Sequence, residues 1–227
     1  MQEYLINKGV RRNVILILFV ISFLIATFFQ NQGIGNTIIT FISMCLDKLK
    51  IKDMVERLGF LPDILSFTFW YLVVWGLFDK IVWKCPIIQK FHSVPNINGV
   101  WEGELTSCYD EPLKHSMKLT VIQTWSQIHF TAKFEKSSSE SNIVSIQTDE
   151  NGHPVIYFCF QNQSQDVSQH QQVYYGFNRI DLNDNVMDGR YSNDRPSNKQ
   201  DRTDGNCGTF TLTKSSDENN YFKKYLK

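Results

Sequence analysis

Residues 13–46 carry no charged side chain, and this run constrains the fold more than any other feature of the sequence. It begins directly after Arg11 and Arg12. Its core, Val14–Phe29, approaches the roughly 17 to 25 apolar residues that cross a membrane, and the flanking amides extend it. A cleaved signal peptide is disfavoured because the run is long, no small-x-small cleavage site follows it and a second apolar segment comes later. The run therefore predicts a transmembrane helix over about residues 13–32.

A second apolar segment, residues 64–78, lies between Asp63 and Asp79. It is short for a span, but apolar neighbours lengthen it if both carboxylates reach the membrane interfaces. Its aromatic residues are numerous, as the interfacial belt of a transmembrane helix requires. We therefore predict a second span over about residues 61–83, with a buried helix of a soluble protein as the alternative. Residues 1–91 are then a two-helix transmembrane region.

Two spans place both ends of the chain on one side of the membrane. Six basic residues flank the outer ends of the spans and four lie in the connector, which weakly favours cytoplasmic ends. The five cysteines include no C-x-x-C pair, and reduced, mostly buried thiols are their simplest interpretation. Because oxidising compartments tend to pair such residues, the thiols also favour a cytoplasmic location for the rest of the chain.

The pattern changes at residues 92–96, where long apolar runs give way to short alternating ones. Eight segments have the length and alternation of strands in an all-β barrel or sandwich. They cover residues 99–107, 116–124, 126–135, 142–148, 154–161, 173–180, 185–192 and 208–214. Short joints predict sequential hairpins, and closing them into a barrel removes exposed sheet edges. We therefore expect a membrane-anchored all-β protein, in which residues 92–227 form a small soluble, eight-stranded, antiparallel, up-and-down β-barrel that senses a ligand.

Two polar segments interrupt the alternation. Residues 137–141 (SSSES) are predicted as a hairpin tip. Residues 161–172 (QNQSQDVSQHQQ) are predicted as a solvated loop, because they contain too few apolar residues to pack.

Charge and motifs argue against several classes of function. Residues 92–227 carry thirteen Lys and Arg against seventeen Asp and Glu, and an acidic domain without a basic stripe does not match DNA or RNA binding. The five histidines show no metal-ligand spacing, and no nucleophile or phosphate-binding motif is present. We therefore predict no enzymatic activity, no catalytic residues and no metal site.

The predicted barrel does contain residues suited to a small anionic ligand with aromatic bases. Aromatic rings stack on bases, and arginine supplies forked donors to phosphate oxygens. In the segment 173–180, Tyr175 and Arg179 share one face with two apolar residues. The candidate ligand-binding residues are Tyr175, Arg179, Arg190, Tyr191, Arg195 and Trp101. For Trp101, the alternative is a plug at the closed end of the barrel, stacked on an arginine such as Arg190.

In its order of parts, the chain resembles the two-transmembrane, β-barrel effectors of bacterial cyclic-oligonucleotide-based anti-phage signalling systems (CBASS). The parts are a two-span anchor, Asn98-Gly99-x-Trp101, the later stretch GRYSNDRP with Tyr191 and Arg195, and a final GTFTL strand. The resemblance implies that the barrel binds a cyclic dinucleotide made by a partner nucleotidyltransferase. It also implies that binding drives oligomerisation of the chain and disruption of the inner membrane, which kills the infected cell.

The resemblance has further implications for partners and location. The cyclic dinucleotide is the activating ligand, with no other cofactor, and the other partners are the phospholipid membrane and further copies of the chain. The chain is expected to be a multi-pass protein of the bacterial inner membrane with its C-terminal barrel in the cytoplasm. The stretch Ser197–Asn206 is longer than the family pattern and is a candidate lid.

Two other functions are compatible with the sequence. A membrane-anchored, lipocalin-like carrier of an apolar molecule is favoured by Gly99-x-Trp101 and by the apolar interior. A structural module with a filled core is the third interpretation. The Arg and Tyr residues near 175–195 separate the first function from the lipid carrier, since a lipid pocket does not need them.

Overall fold

The computed structural model describes residues 1–32, 40, 44, 61–108, 113–164, 173–195 and 206–215, with the backbone alone for residues 61–66. The chain divides into two compact units. One contains Met1–Asn7 and Gln89–Lys227, and the other contains Lys8–Ile88. The junction at residue 88 lies close to the predicted boundary at residue 91, but the first seven residues belong with the β-rich unit rather than with the helices.

The unit Lys8–Ile88 is helical. The elements over this part of the chain are α1 (Lys8–Asn31), α2 (Leu61–Lys80), a 3₁₀ turn (Val82–Lys84) and the first residues of α3 (Pro86–His92). Leu18, Ser22 and Ala26 of α1 are buried, and their spacing of four residues places them on one face of the helix. Phe29 of α1 stacks on Trp70 of α2, with ring centroids 4.5 Å apart.

Within the described ranges, α1 is the one helix long and apolar enough to cross a membrane. Length and composition alone support this, and signal sequences and core helices share the same properties. α1 contains most of the first predicted span, residues 13–32. α2 covers most of the second predicted span, residues 61–83, and its crossing of a membrane stays a prediction.

Nine strands of the described chain form a closed barrel, one more than the eight predicted. They are β1 (Gln2–Leu5), β2 (Gly99–Ser107), β3 (Leu113–Gln123), β4 (Gln127–Lys133), β5 (Ser137–Thr148), β6 (Pro154–Ser164), β7 (Val173–Asn183), β8 (Val186–Asn193) and β9 (Asn206–Lys214). From β2 to β9, each strand pairs antiparallel with the next, and β9 returns to β2. The predicted meander is therefore present, and alternate residues of each strand face the interior.

The additional strand, β1, fills the gap where β4 and β5 separate. These two strands pair directly over three residues each. Gln2–Glu3 then pair antiparallel with Gln127–Ile128, and Tyr4–Leu5 pair parallel with Val144–Ser145. The prediction of an entirely antiparallel, eight-stranded barrel is corrected accordingly. A strand of four residues is too short to show a clear alternation, which is why the sequence pattern did not predict it.

One end of the barrel is closed by the segment VPNINGVW, residues 94–101, and we call this end the base. The buried indole of Trp101 donates a hydrogen bond from Nε1 to the carbonyl oxygen of Ile97, at 3.0 Å. Gln123, at the end of β3, accepts the Ile97 backbone N–H at 3.0 Å and donates to the Pro95 carbonyl oxygen at 3.2 Å. These bonds hold the segment across the end of the barrel.

Asn98 and Gly99 direct the chain from this segment into β2. The Asn98 side chain accepts the backbone N–H of Gln123 at 2.6 Å and donates to its carbonyl oxygen at 2.8 Å. Gly99 has a φ of 126°, which residues with a Cβ rarely adopt. The stretch Asn98-Gly99-x-Trp101 therefore serves to close and pin the base.

Candidate functional site

The end of the barrel opposite the base, which we call the mouth, contains a cavity of about 350 Å³. Its apolar lining consists of Leu105, Met117, Leu119, Phe130, Ala132, Phe134, Phe158, Phe160 and Phe210. Its polar lining consists of Ser107, His115, Glu135, Lys136, Ser137, Ser139, Glu140, Ser141, Asn162, Ser164, Tyr174, Asn178, Tyr191, Asn193, Arg195 and Asn206. A concave site with apolar walls and convergent polar groups is typical of small-molecule binding.

Ser139 and Asn162 form a buried polar wall of this cavity. They are cross-strand neighbours on β5 and β6, and Asn162 Nδ2 donates to Ser139 Oγ at 2.7 Å. The other side-chain atom, Asn162 Oδ1, is buried and accepts no hydrogen bond from the residues that the structure describes. An unpaired buried acceptor costs about 1–3 kcal/mol, so a ligand that donates to Oδ1 gains binding energy there.

The two segments predicted as a hairpin tip and a loop supply this wall. Residues 137–141 begin β5, and Ser139 and Ser141 point inward. Residues 161–164 continue β6, whereas residues 165–172 of the predicted loop lie outside the described part of the chain. The hairpin-tip prediction was wrong because it took polarity as a sign of solvent exposure. In a barrel with a cavity, inward-facing residues can be polar.

Tyr191 lies on β8 with its ring inside the barrel, where a glycine makes room for it. A Cβ built on its β9 neighbour, Gly208, would lie 2.6 Å from a carbon of the ring. Burial raises the pKa of the Tyr191 hydroxyl, and hydrogen bonding with Ser107 and Asn206 acts in the opposite direction. The phenol therefore stays protonated at neutral pH and is able to donate a hydrogen bond to a ligand.

Two hydrogen bonds between Tyr175 and Asp194 position the neighbouring Arg195 at the mouth. The backbone N–H of Tyr175 donates to Asp194 Oδ1 at 2.7 Å, and the backbone N–H of Asp194 donates to the Tyr175 carbonyl oxygen at 3.0 Å. The guanidinium carbon of Arg195 then lies 5.7 Å from the centroid of the Tyr174 ring, within reach of a cation–π interaction. The end of β8 and the start of β7 thus hold the Arg195 guanidinium beside the Tyr174 ring.

Aromatic rings make up much of the apolar lining. Phe130 and Phe158 stack with centroids 4.6 Å apart and an angle of 5° between their planes. Phe210 lies so close to Gly189 that any Cβ at that position would overlap its ring. The glycines of the stretches GRYSNDRP and GTFTL thus accommodate rings that face the interior.

The six predicted ligand-binding residues lie in three different places. Tyr191 and Arg195 line the cavity. Trp101 lies in the base with 1% of its surface exposed, as expected of a plug. The cation above its ring is Lys214, at 5.9 Å, rather than Arg190.

Tyr175, Arg179 and Arg190 lie on the outer surface of the barrel, away from the cavity. Arg179 donates to Asp181 Oδ1 at 3.0 Å. The face of β7 that points inward carries Tyr174 instead. Aromatic residues occur on both faces of this strand, so alternation alone did not identify the inner one. Of the six predicted residues, Tyr191 and Arg195 are therefore the ones that reach the cavity.

Ser139 and Asn162 were not predicted as candidate residues, and Tyr174 was not among the six. A usable signal was present for Asn162, because Phe158, Phe160 and Asn162 alternate along one face of the stretch FCFQNQ. When an amide continues the apolar face of a strand in this way, it is expected to point inward like the apolar residues before it.

Metal binding and a lid are two further questions for this site. Among the residues with described positions, no group of His, Cys, Asp and Glu could hold a metal ion. The candidate lid, Ser197–Asn206, lies outside the described chain except for Asn206, which begins β9.

Comparison with known proteins identifies related sequences. The family model described as Cap15, cyclic dinucleotide receptor domain, matches residues 92–220, more than half of the chain. The CD-NTase-associated protein 15 of Yersinia aleksiciae is 28% identical over 147 residues, which cover 63% of this chain and 67% of that protein. The family match includes all eight strands from β2 to β9.

Proposed function

Because this chain belongs to the family of Cap15 cyclic dinucleotide receptor domains, which are CBASS effectors, we propose that its barrel cavity binds a cyclic dinucleotide. Such a ligand is compact and carries two bases and two phosphates. A small barrel that is plugged at one end and open at the other holds one small ligand. Because the ligand is small, the barrel does not need the basic surface that long nucleic acids require.

The observation that carries this proposal is the combination of three fixed groups in one cavity. Arg195 supplies a guanidinium, Tyr191 supplies a protonated phenol and Asn162 supplies an unpaired amide oxygen. Anionic oxygens require donors, and base edges carry both donors and acceptors. A cyclic dinucleotide presents both kinds of group on one molecule.

The phosphates are assigned to the mouth. The guanidinium of Arg195 is held beside Tyr174, so a phosphate oxygen meets a donor that is already oriented. Tyr191 provides a second donor on the wall of the same cavity, because its raised pKa keeps the hydroxyl protonated. The phosphate role predicted for arginine is thus proposed for Arg195 and not for Arg179 or Arg190. For Tyr191, predicted as a ring that stacks on a base, we propose the role of a second phosphate donor.

One base is assigned to the polar wall. Exocyclic amino groups of adenine, guanine and cytosine donate hydrogen bonds, and Asn162 Oδ1 is the acceptor that such a group would satisfy. The aromatic lining around Phe158 offers ring faces for the same base. Stacking of this kind contributes about 1–3 kcal/mol per base in single-strand binders.

We further propose that ligand binding activates the helical unit as the effector. In this proposal α1 and α2 anchor the chain in the bacterial inner membrane, the barrel faces the cytoplasm, and the ligand-bound form oligomerises and disrupts the membrane. Moving an equilibrium from 1:99 to 99:1 requires a difference in ligand affinity of about 5.5 kcal/mol between the two states. The proposal therefore requires that the oligomerising state bind the ligand more tightly than the resting state by this amount.

Calorimetry of the full chain in detergent with a panel of cyclic dinucleotides tests the binding step. We expect at least one tight ligand, and Arg195→Ala should weaken it by more than about tenfold, the equivalent of 1.4 kcal/mol. Asn162→Leu should also weaken binding of this ligand. Arg179→Ala is the matched control on the outer surface and should bind the ligand with unchanged affinity. Binding that depends on Arg179 but not on Arg195 would contradict the cavity assignment.

The same measurement separates the cyclic dinucleotide receptor from a lipocalin-like carrier. The phenylalanines of the cavity favour the carrier as the second candidate. If every cyclic dinucleotide fails to bind while fatty acids bind, the cavity belongs to an apolar ligand. If neither class binds, the cavity is not a ligand site of either kind.

Leakage of dye from liposomes tests the membrane step. We expect ligand-dependent leakage with the full chain, and Ile21→Asp in α1 should abolish it, because a charge at a helix centre costs about 2.5–3.5 kcal/mol in a bilayer. Calorimetry on this variant should still detect the ligand. Full leakage from a variant that remains inserted would argue against disruption by packed spans.

A further inference from the structure

Two free cysteines lie opposite each other at the mouth of the barrel. Cys108 follows the last residue of β2, and Cys207 is the second residue of β9. The neighbouring residues Ser107 and Gly208 are paired in the sheet, and the backbone N–H of Cys108 donates to the carbonyl oxygen of Cys207 at 2.9 Å. The two cysteines therefore extend the pairing between the first and the last strand of the meander by one position.

The cross-strand position of the two cysteines agrees with the Cα spacing that a disulfide requires. Residues opposite each other at such a position of an antiparallel sheet have Cα atoms about 5.5 Å apart. Disulfide-bonded cysteines have Cα atoms about 4.4–6.8 Å apart. The side chains also interact, because a hydrogen bond with Cys108 is the largest cause that raises the pKa of the Cys207 thiol. Both side chains are exposed, so an oxidant has access to them.

We propose that Cys108 and Cys207 are a reversible oxidation site, at which a peroxide forms a disulfide that links β2 to β9 at the mouth. The thiolate of Cys108 attacks hydrogen peroxide, breaks the O–O bond, becomes a sulfenic acid and releases hydroxide. The thiol of Cys207 then attacks this sulfur, forms the S–S bond and releases water. In total, two thiols lose two electrons, and one peroxide is reduced to two waters. A cellular thiol reverses the reaction by thiol–disulfide exchange.

The other described cysteines are Cys85, which is exposed and belongs to the helical unit, and Cys159. Cys159 on β6 is half-buried, and its cross-strand neighbours are Ile143 and Phe177, so no thiol lies opposite it. Exposed thiols with an adjacent resolving cysteine are typical of redox-sensitive sites. Disulfides in reducing compartments are usually transient and redox-linked, which agrees with a reversible bond at this position.

The bond would stiffen the part of the barrel that surrounds the cavity. Ser107 and Asn206 are the residues next to the two cysteines, both line the cavity, and Ser107 Oγ donates to Asn206 Oδ1 at 3.2 Å. A link between residues 108 and 207 also closes a loop of about 100 residues, which in the chain-entropy model restricts the unfolded chain strongly. Oxidation should therefore raise the thermal stability of the barrel, whichever ligand the cavity takes.

Peptide mapping of the full chain in detergent tests the proposal. The protein is treated with a small excess of hydrogen peroxide, alkylated and digested without reduction, and the linked peptides are identified by mass spectrometry. We expect a single intramolecular link between Cys108 and Cys207, and a rise in the melting temperature of about 5 °C or more that a reducing agent reverses. The link itself is measured on the native sequence, so the result does not depend on whether a variant folds.

Variants provide the controls. Cys159→Ser should keep the link and the rise in melting temperature, whereas Cys108→Ser and Cys207→Ser should lose both. Recovery of only sulfonic acids, of links between two chains or of links to Cys159 would overturn the proposal. A link that forms without any change in melting temperature would overturn the claim that it fixes the mouth.

Discussion

The two ends of the barrel are built from the same strands, but they use polar side chains in opposite ways. At the base, Gln123 exchanges hydrogen bonds with the segment that carries Ile97 and Asn98, and its polar atoms are occupied by the protein itself. At the mouth, Asn162 Oδ1 has no such partner in the described chain. The two ends therefore differ in whether a buried amide is satisfied by the protein itself: the amide at the base is, and the acceptor at the mouth is not.

The first prediction, with the largest effect, concerns the plug. Trp101→Ala should lower the free energy of unfolding by about 3–5 kcal/mol, because a large buried ring is replaced by a void. Tyr191→Phe is the control at the mouth, and it should lower this free energy by about 1 kcal/mol or less. Urea unfolding followed by circular dichroism measures both variants. Equal losses at the two ends would contradict the division between a stabilising base and a recognising mouth.

The second prediction compares the two amides directly. Gln123→Leu should lower the free energy of unfolding by about 2–4 kcal/mol, because it leaves the backbone groups of Ile97 and Pro95 without their partner. Asn162→Leu should change it by less than about 1 kcal/mol, since it also removes the unpaired Oδ1. The same denaturation experiment decides the matter. A strongly destabilised Asn162→Leu variant would mean that this amide supports the fold rather than a ligand.

The third prediction concerns Gly208. A Cβ there would meet the Tyr191 ring and the carbonyl oxygen of Thr106, so Gly208→Ala should displace the ring and cost about 1–3 kcal/mol of stability. Cyclic dinucleotide affinity should fall with it. Gly76→Ala in α2 is the control, because a Cβ at that position meets nothing within 4 Å. If affinity and stability are unchanged in Gly208→Ala, the Tyr191 ring does not require a glycine at position 208.

The smallest expected effect is a dependence on pH at the mouth. Burial raises the pKa of Tyr191 in the folded protein above that of the unfolded chain. The stabilisation associated with the protonated phenol is therefore fully present below about pH 10 and is lost as the pH rises through the folded-state pKa. Above about pH 10, Tyr191→Phe should lose less stability than the native chain as the pH rises. If the variant and the native chain lose the same stability as the pH rises, the pH dependence does not arise from the Tyr191 hydroxyl.

The meander from β2 to β9 could be predicted from the sequence because its strands alternate and its turns are short. The segment Gly99–Ser107 was predicted with the bounds that the structure shows. Of the predicted binding residues, Tyr191 and Arg195 are the ones that reach the cavity. Alternation indicates which residues share a face of a strand. It does not indicate which face points inward when both faces carry aromatic rings.

Polar residues of the interior were the main source of error. Ser139 and Asn162 look like surface residues in a sequence, because burial is usually the property of apolar side chains. Inside a barrel with a cavity the rule is weaker, and the run of serines at residues 137–141 is strand. The parallel pairing of β1 with β5 also could not be predicted, since it joins residues far apart in the chain.

The position of β1 has a consequence for the order of synthesis. Gln2–Leu5 precede their sheet partners, Gln127–Ile128 and Val144–Ser145, by more than 120 residues, so these partners are synthesised later. Long-range pairings of this kind slow folding, because the ends of a long loop must meet first. The barrel therefore cannot be completed as its strands emerge one by one. Strand β1 can join the sheet only after β4 and β5 have been synthesised.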